Sequence, residues 1–380
     1  MKEVRYGIVG IGKQGTLYTK ILTKCGFVLK GARLAAVCDI SPERREYAEK
    51  NLKGVKVFSD YHEMFASGLI DAVMIETPHY FHPTIAIDAF KAGLHVLSDK
   101  PAGVDTASVR KMIAEADNHP ELVFGLMFNQ RTNPLYIKAK EIIDSGRLGE
   151  LKRIVWIITN WYRPDAYYNQ GGWRGTWAGE GGGVLLNQCP HQLDLFTWLA
   201  GMPVAVTAKT YTRGRDIAVE NDVTAVCRFA NGATGVFITS THDAPGTNRL
   251  EITGDCGKIV IEHGKLVFTE NSVPEPEFSK TNKVFMGRPK TKKHTYGGKV
   301  AYLNFMKKPP QHVGVMKNYT DFLLGKTDVM IAPGREGING LTFSNAIHLS
   351  GWTGKEVSIP FDESEFLALL EEKKREEQEK

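Results

Sequence analysis

The chain has few cysteines, no long apolar run and no strong excess of either charge. Its 5 cysteines in 380 residues, at positions 25, 38, 189, 227 and 256, form an odd set without CxxC spacing. That argues against a disulfide framework or a zinc knuckle and for a reducing compartment; no metal is expected. No apolar stretch reaches the length of a membrane span, and no signal-peptide layout precedes the apolar segment that opens at Val4. The expectation is a cytoplasmic protein without a membrane partner. Lys and Arg number 48 against 43 Asp and Glu, a formal +5. The basic residues are scattered, so no nucleic-acid partner is expected. The densest basic run, Pro289 to Lys293, reads as a solvated loop. No internal repeat is present.

What is there is an ordinary globular composition, 42% hydrophobic and 24% charged, in a chain long enough for two cores. Over the first third, short apolar runs alternate with helical patterns. Strands are expected at Val4 to Val9, Arg33 to Cys38, Val55 to Phe58, Ala72 to Ile75, His95 to Leu97 and Val123 to Met127. Helical segments such as Gly12 to Lys24, Pro42 to Asn51, Thr84 to Ala92 and Thr106 to Asp117 separate them. This alternation predicts a parallel, doubly wound α/β sheet. After about residue 150 the pattern changes. A strand from Leu151 to Asn160 and a helix from Asn187 to Ala200 are followed by strands at Ala205 to Tyr211, Thr224 to Phe229, Thr234 to Ser240 and Arg249 to Thr253. Asn231-Gly232 signals a hairpin turn. This half predicts an α+β domain on a mostly antiparallel sheet with helices on one face. Residues 272–298 lack periodicity and read as a long loop, and Glu371 to Lys380 as a frayed helical tail.

Gly10-Ile11-Gly12-Lys13-Gln14-Gly15 follows an apolar strand and opens a helix. GxGxxG alone is a weak signal, but here it lies within a strand-helix-strand unit. Gly10 permits the tight turn, Gly12 lets the backbone approach a pyrophosphate, and Gly15 lets helix and strand pack closely. The helix N-terminus offers free N–H groups to the anion. Asp39, at the end of the second strand, is placed to accept hydrogen bonds from ribose hydroxyls and to repel a 2′-phosphate. This favours NAD over NADP. Arg44 and Arg45 lie close by and read as a solvated helix face rather than a phosphate contact.

Further motifs follow the strands in order. Thr77-Pro78-His79 comes after the fourth strand, with His82 at the next helix start. Asp99-Lys100-Pro101 comes after the fifth, and Asn129-Gln130-Arg131 after the sixth. Gly181-Gly182-Gly183 precedes Asn187, His191 and Asp194. This ordered set resembles the glucose–fructose oxidoreductase, inositol dehydrogenase and MocA family over nearly the whole chain. The resemblance implies an NAD-binding Rossmann domain at 1–127. It also implies a substrate-binding and oligomerisation domain at 128–361 with an open-faced sheet, a charged tail at 362–380, and a homodimer or homotetramer. The sequence departs from the family pattern at two places. Asp99 stands where the family has glutamate, and Asn187 where it has an aspartate four residues before the catalytic histidine.

The chemistry implied is NAD-dependent oxidation of CH–OH groups. A neutral imidazole suits removal of a hydroxyl proton, and His191 is the candidate base. Lys100 is expected to donate to the reacting oxygen, and Asn187 to position a substrate hydroxyl from one helical turn before His191. Lys13, Gln14, Thr77, Pro78, His79, His82, Lys100 and Asn129 join the glycine loop and Asp39 as expected cofactor contacts, with Thr77 to His79 on the nicotinamide side. Lys100, Asn129, Tyr162, Trp173, Arg174, Asn187 and His191 are the expected substrate contacts. The stretch Trp161 to Trp177 is dense in aromatics, whose faces pack on the C–H face of pyranose rings. The leading expectation is therefore a dehydrogenase of a sugar or glycoside. An inositol dehydrogenase, a glycosidase working by oxidation and elimination, and a non-catalytic nucleotide sensor are the alternatives.

Overall fold

The structure is a computed structural model that describes residues 2–297 and 311–379. The chain forms two compact units, with boundaries at Thr132/Asn133 and, inside the helix Gly337–Thr353, at Leu341/Thr342.

The first unit holds a six-stranded sheet: β1 Val4–Val9, β2 Ala32–Cys38, β3 Lys56–Phe58, β4 Ala72–Ile75, β5 His95–Ser98 and β6 Phe124–Leu126. Its order is β3-β2-β1-β4-β5-β6, and every pairing is parallel. Parallel strands covered on both faces read as unbroken apolar runs, and β4 is buried at all four positions. The helices that return the chain start at short polar caps: Ser41, Asp60 and Asp105 each accept a backbone N–H of the first turn. The helix Gln311–Leu323 belongs to this unit. Its Val315, Met316 and Tyr319 join the cluster of Val4, Tyr6, Ile8 and Tyr18, and Tyr6 Oη shares a hydrogen bond with Thr320 Oγ1 at 2.8 Å.

The second unit holds nine strands: β7 Leu151–Ile158, β8 Ala205–Tyr211, β9 Asp222–Arg228, β10 Thr234–Ser240, β11 Asn248–Gly254, β12 Gly257–Glu262, β13 Lys265–Asn271, β14 Thr291–Gly297 and β15 Val357–Ser358. Their order is β14-β13-β12-β11-β7-β10-β9-β8-β15. The sheet is antiparallel except for β7 against β10. Strict alternation, as in β9 with Val223, Ala225 and Cys227 buried between exposed residues, gives one packed and one open face. On the packed face Phe196 of the helix Pro190–Ala200 stacks on Phe343 at 5.2 Å and meets Phe237 edge-on at 5.7 Å.

Three expectations are corrected. The segment read as a loop over 272–298 contains a helix, Glu275–Thr281, and strand β14; residue 298 lies outside the described residues. The strand was hidden because β14 is an edge with no buried position, so its place comes from its partner β13 and not from its own pattern. The helix expected from Asn187 begins instead as a π-helical turn, Val184–Gln188, and restarts at Pro190 after Cys189. Proline has no N–H to continue a helix and favours the first helical position. The tail read as a frayed helix over Glu371 to Lys380 is helical but tied down: it is the end of the helix Glu363–Gln378, where Glu377 accepts Trp177 N; Lys380 lies outside the described residues.

Candidate active site

In the first unit, the site is made where β1, β4, β5 and β6 end. Gly10 turns with φ 88°, and a Cβ there would lie 2.7 Å from the Glu76 carbonyl oxygen. A Cβ at Gly15 would lie 1.9 Å from Gly10 O, whereas at Gly12 it would meet nothing within 4 Å. The loop is thus closed toward the sheet and open above Gly12. The helix Lys13–Lys24 starts there without any side-chain cap, so its first N–H groups point outward with the positive end of the helix dipole. Lys13 is exposed on that turn. Asp39 Oδ2 accepts Ile11 N at 2.8 Å and Oδ1 accepts Ser41 N at 2.9 Å. Its carboxylate is therefore pinned to the glycine loop with further lone pairs left over. Arg45 Nη1 is held by the carbonyls of Asp39 (2.9 Å) and Ile40 (2.8 Å).

Beyond the strand ends lies a polar cluster. His312 Nε2 accepts Asn129 Nδ2 at 2.8 Å and lies 3.3 Å from Gln14 Nε2. Gln14 Nε2 also donates to Tyr18 Oη at 2.9 Å. An imidazole nitrogen facing two amide donors must carry no proton, which agrees with a pKa pushed down, chiefly by burial. Asn129 Oδ1 and Thr77 Oγ1 are buried and have no hydrogen-bond partner. Such orphaned groups are unfavourable unless a ligand meets them, and with the open glycine turn they fit a dinucleotide. His79 is buried. His82 is buried with Nδ1 2.8 Å from Pro101 O and Nε2 2.7 Å from Thr77 O. Its ring thus braces the turn after β4 against the turn that carries Lys100, and both nitrogens are used up by backbone. Pro78 follows Thr77 in the turn after β4, and Lys100 follows β5 by two residues, its N–H on Asp99 Oδ1 at 2.8 Å.

In the second unit, two buried carboxylates organise the candidate substrate residues. Glu220 accepts Gly183 N on both oxygens and Leu185 N on Oε1, all at 3.0 Å, and Oε2 lies 3.1 Å from His348 Nε2. It caps the π-helical turn. Glu180 Oε2 accepts Gly175 N at 2.8 Å, and Oε1 accepts Asn187 Nδ2. The helix break separates Asn187 from His191, so the shared helical face expected for them does not exist. Asn187 is oriented by Glu180, while His191 lies half-buried in the first turn of Pro190–Ala200, with Asp194 buried one turn on.

The aromatic stretch forms a ladder of stacked cations. The Arg163 guanidinium lies 5.5 Å from the Trp161 ring and 4.9 Å from that of Tyr167. That of Arg174 lies 4.9 Å from Tyr167 and 4.5 Å from Trp173, and its Nη1 donates to Tyr167 Oη at 2.9 Å. One face of Trp173 is therefore taken by Arg174. Tyr162 is exposed beside Arg215. Trp161 Nε1 and Arg163 Nε are buried N–H donors without an acceptor.

The family model described as the oxidoreductase family with an NAD-binding Rossmann fold matches residues 4–125, and that of the GFO/IDH/MocA C-terminal domain matches residues 136–260. The chain belongs to the Gfo/Idh/MocA family. It is an oxidoreductase of that family with an NAD-binding Rossmann domain. It is 26% identical over 269 residues to the myo-inositol 2-dehydrogenase of Thermotoga maritima, covering 68% of this chain and 75% of that protein. Matches to further inositol 2-dehydrogenases span 60% to 65% of their length. Among solved structures, the WlbA dehydrogenase of Bordetella pertussis in complex with NADH and UDP-GlcNAcA is similar at TM-score 0.76 and 27% identity, covering 95% of this chain and 100% of that one. Levoglucosan dehydrogenase in complex with NADH and L-sorbose shares the fold at TM-score 0.78 and 20% identity, over 95% and 100% of the two chains.

The residues of these clusters that escape sequence reading include Tyr18, Glu76, Glu180, Glu220, His312 and His348. Only Glu76 left a signal, an acid directly after four buried apolar residues. Among the described residues no group of three or more His, Cys, Asp or Glu is placed to hold a metal, and no helix is long and apolar enough to cross a membrane.

Proposed function

We propose that this member of the family oxidises a secondary hydroxyl of a sugar or glycoside to a ketone. Bound NAD+ supplies the hydride acceptor. Lys100 donates a hydrogen bond to the reacting oxygen and stabilises the charge that develops on it. His191 takes the hydroxyl proton as general base. Asn187, its amide fixed by Glu180, positions a neighbouring hydroxyl. Gln14, Asn129 and Thr77 hold the dinucleotide with the glycine loop and Asp39, and His82 acts through the two turns it braces. Because Asp39 is pinned facing the loop and Arg45 is tied to backbone, NAD is preferred over NADP.

The observation that carries the substrate class is the pair of buried, acceptor-less donors Trp161 Nε1 and Arg163 Nε within an aromatic ladder. Sugar hydroxyls accept from such donors while the ring's C–H face packs on the aromatics. The relatives support a polyhydroxylated ring, being named for myo-inositol or solved with UDP-GlcNAcA. The protein works in the cytoplasm as a homodimer or homotetramer, which light scattering on the purified chain tests.

The deciding experiment is a screen of the purified protein with NAD+ against sugars, glycosides and inositols, following NADH absorbance and identifying the product. Stoichiometric NADH and a ketone are expected. A best substrate without a carbohydrate or cyclitol ring overturns the class, and aglycone release without net NADH identifies oxidation and elimination instead.

A further inference from the structure

A carboxyl group directly after a buried strand is unfavourable unless something offsets its burial. Glu76 is such a group, following the fully buried β4. Both its carboxyl oxygens are buried and receive no N–H or O–H donor from the protein. The neighbouring acid is Asp99, just past the end of the adjacent strand. The strand register dictates this. Ile75 pairs with Ser98 across β4 and β5, and Asp99 N donates to Ile75 O at 3.0 Å, so the residues just past the two strand ends lie side by side. A buried carboxyl that meets no donor and has a second acid as its neighbour resists ionisation. Burial, then the charge of Asp99, holds the Glu76 carboxyl protonated well above the usual carboxylate range, with Lys100 acting in the opposite sense.

The pair lies under the dinucleotide loop. Glu76 N donates to Val9 O at 2.8 Å, and Glu76 Cβ is 3.5 Å from where a Gly15 Cβ would stand. In the sheet order, β1 and β4 flank the topological switch point, the place where ligands bind in doubly wound sheets. The other titratable groups around the pair are Lys100, Tyr18, His82 and His312. Tyr18 is held neutral by burial and the two carboxyls, and burial keeps His312 neutral.

We propose that the buried Glu76 carboxyl holds a proton beside Asp99 and that this proton senses the oxidation state of the bound dinucleotide. The nicotinamide ring is cationic in NAD+ and neutral in NADH. While protonated, Glu76 is neutral. When the cationic ring binds, the Glu76 proton is released to solvent and Glu76 becomes a carboxylate. When NADH binds, the proton stays. No electron moves in this step and no covalent bond other than the O–H is broken. Acidic conditions therefore weaken NAD+ binding and leave NADH binding unchanged. The proposal rests on the NAD site and is independent of the substrate class.

The test is the affinity of the purified protein for NAD+ and for NADH, measured by calorimetry across about pH 6 to 9 in buffers of different ionisation enthalpy. For NAD+, Kd is expected to fall about tenfold over that range with net proton release, and for NADH to change by less than about twofold. In Glu76→Gln the amide donates permanently to Asp99, so the NAD+ profile becomes flat and proton release disappears. A flat NAD+ profile in the wild-type protein overturns the proposal. So does a slope that survives in Glu76→Gln, which would assign the titration to His312 or His82. The wild-type calorimetry decides the matter even if the variant does not fold. Absence of binding by both dinucleotides would overturn the cofactor site itself, and the proposal with it.

Discussion

The two units place polar groups at the edge of a sheet by opposite means. In the first, backbone does most of the work: strand ends, a glycine turn and an uncapped helix make the dinucleotide cradle, and side chains such as Asp39 are pinned to that backbone. In the second, buried carboxylates do it. Glu220 caps a π-helical turn and Glu180 fixes Asn187 and the Gly175 turn. A cradle made of backbone is sensitive to where a Cβ can go. A site hung on buried carboxylates is sensitive to single polar atoms, because a lost partner leaves buried donors unsatisfied.

The largest expected effect falls in the second unit. His191→Ala should lower kcat by ~10²–10⁴, the usual range for loss of a general base, with NAD+ affinity unchanged by calorimetry. Near-normal turnover would remove His191 from the chemistry. Glu180→Ala should follow, with kcat/KM down ~10–100-fold and a lower Tm, since Gly175 N and the Asn187 amide lose their buried acceptor. Steady-state kinetics and a thermal melt on one preparation check both halves. In the first unit, the contrast is between two glycines. Gly15→Ala should lower Tm, because its Cβ would stand 1.9 Å from Gly10 O. Gly12→Ala meets nothing in the protein, so it should keep Tm while weakening NAD+ by about tenfold through lost backbone approach. Equal behaviour of the two variants would break the account of the cradle. Asp39→Ser should shift the ratio of NADP to NAD use upward by about tenfold, through loss of a repulsion toward the 2′-phosphate.

The smallest effect concerns stability and pH. Burial, then the charge of Asp99, raises the folded-state pKa of Glu76 above its unfolded value. The folded state then binds more protons, so stability is complete below the unfolded carboxyl range and declines as pH rises toward the folded value. Glu76→Gln removes that decline. Its Tm should exceed that of the wild type at mildly alkaline pH and match it near pH ~4. A Tm difference that does not vary with pH would contradict a buried proton on Glu76.

The same contrast decides what the sequence discloses. The first sheet and its glycine turn are legible because unbroken apolar runs, caps and GxGxxG are local patterns. Lys100 and Asn129 could be placed because each follows a recognisable strand. His312 could not: it meets Asn129 from 183 residues away, and nothing in the residues around it marks that contact. β14 was illegible because an edge strand without buried positions has no periodicity to read. Asn187 and His191 fit a helix face at four-residue spacing, and the break at Cys189 before Pro190 is a conformational fact that spacing alone does not carry. Glu180 and Glu220 look like ordinary surface acids in sequence, and only the fold brings backbone N–H groups to them.

The hydrogen bond between Tyr6 and Thr320 joins residues 314 positions apart within one unit. During synthesis the amino-terminal sheet emerges early, yet the helix that covers it is translated only after almost all of the other unit. Until then Tyr6, Tyr18 and Gly125, against which Tyr319 packs, stay uncovered. A fragment cut after β6 would be left in that half-covered condition for good. The nascent chain must therefore hold its dinucleotide fold unfinished and guarded from aggregation until the helix Gln311–Leu323 has been translated.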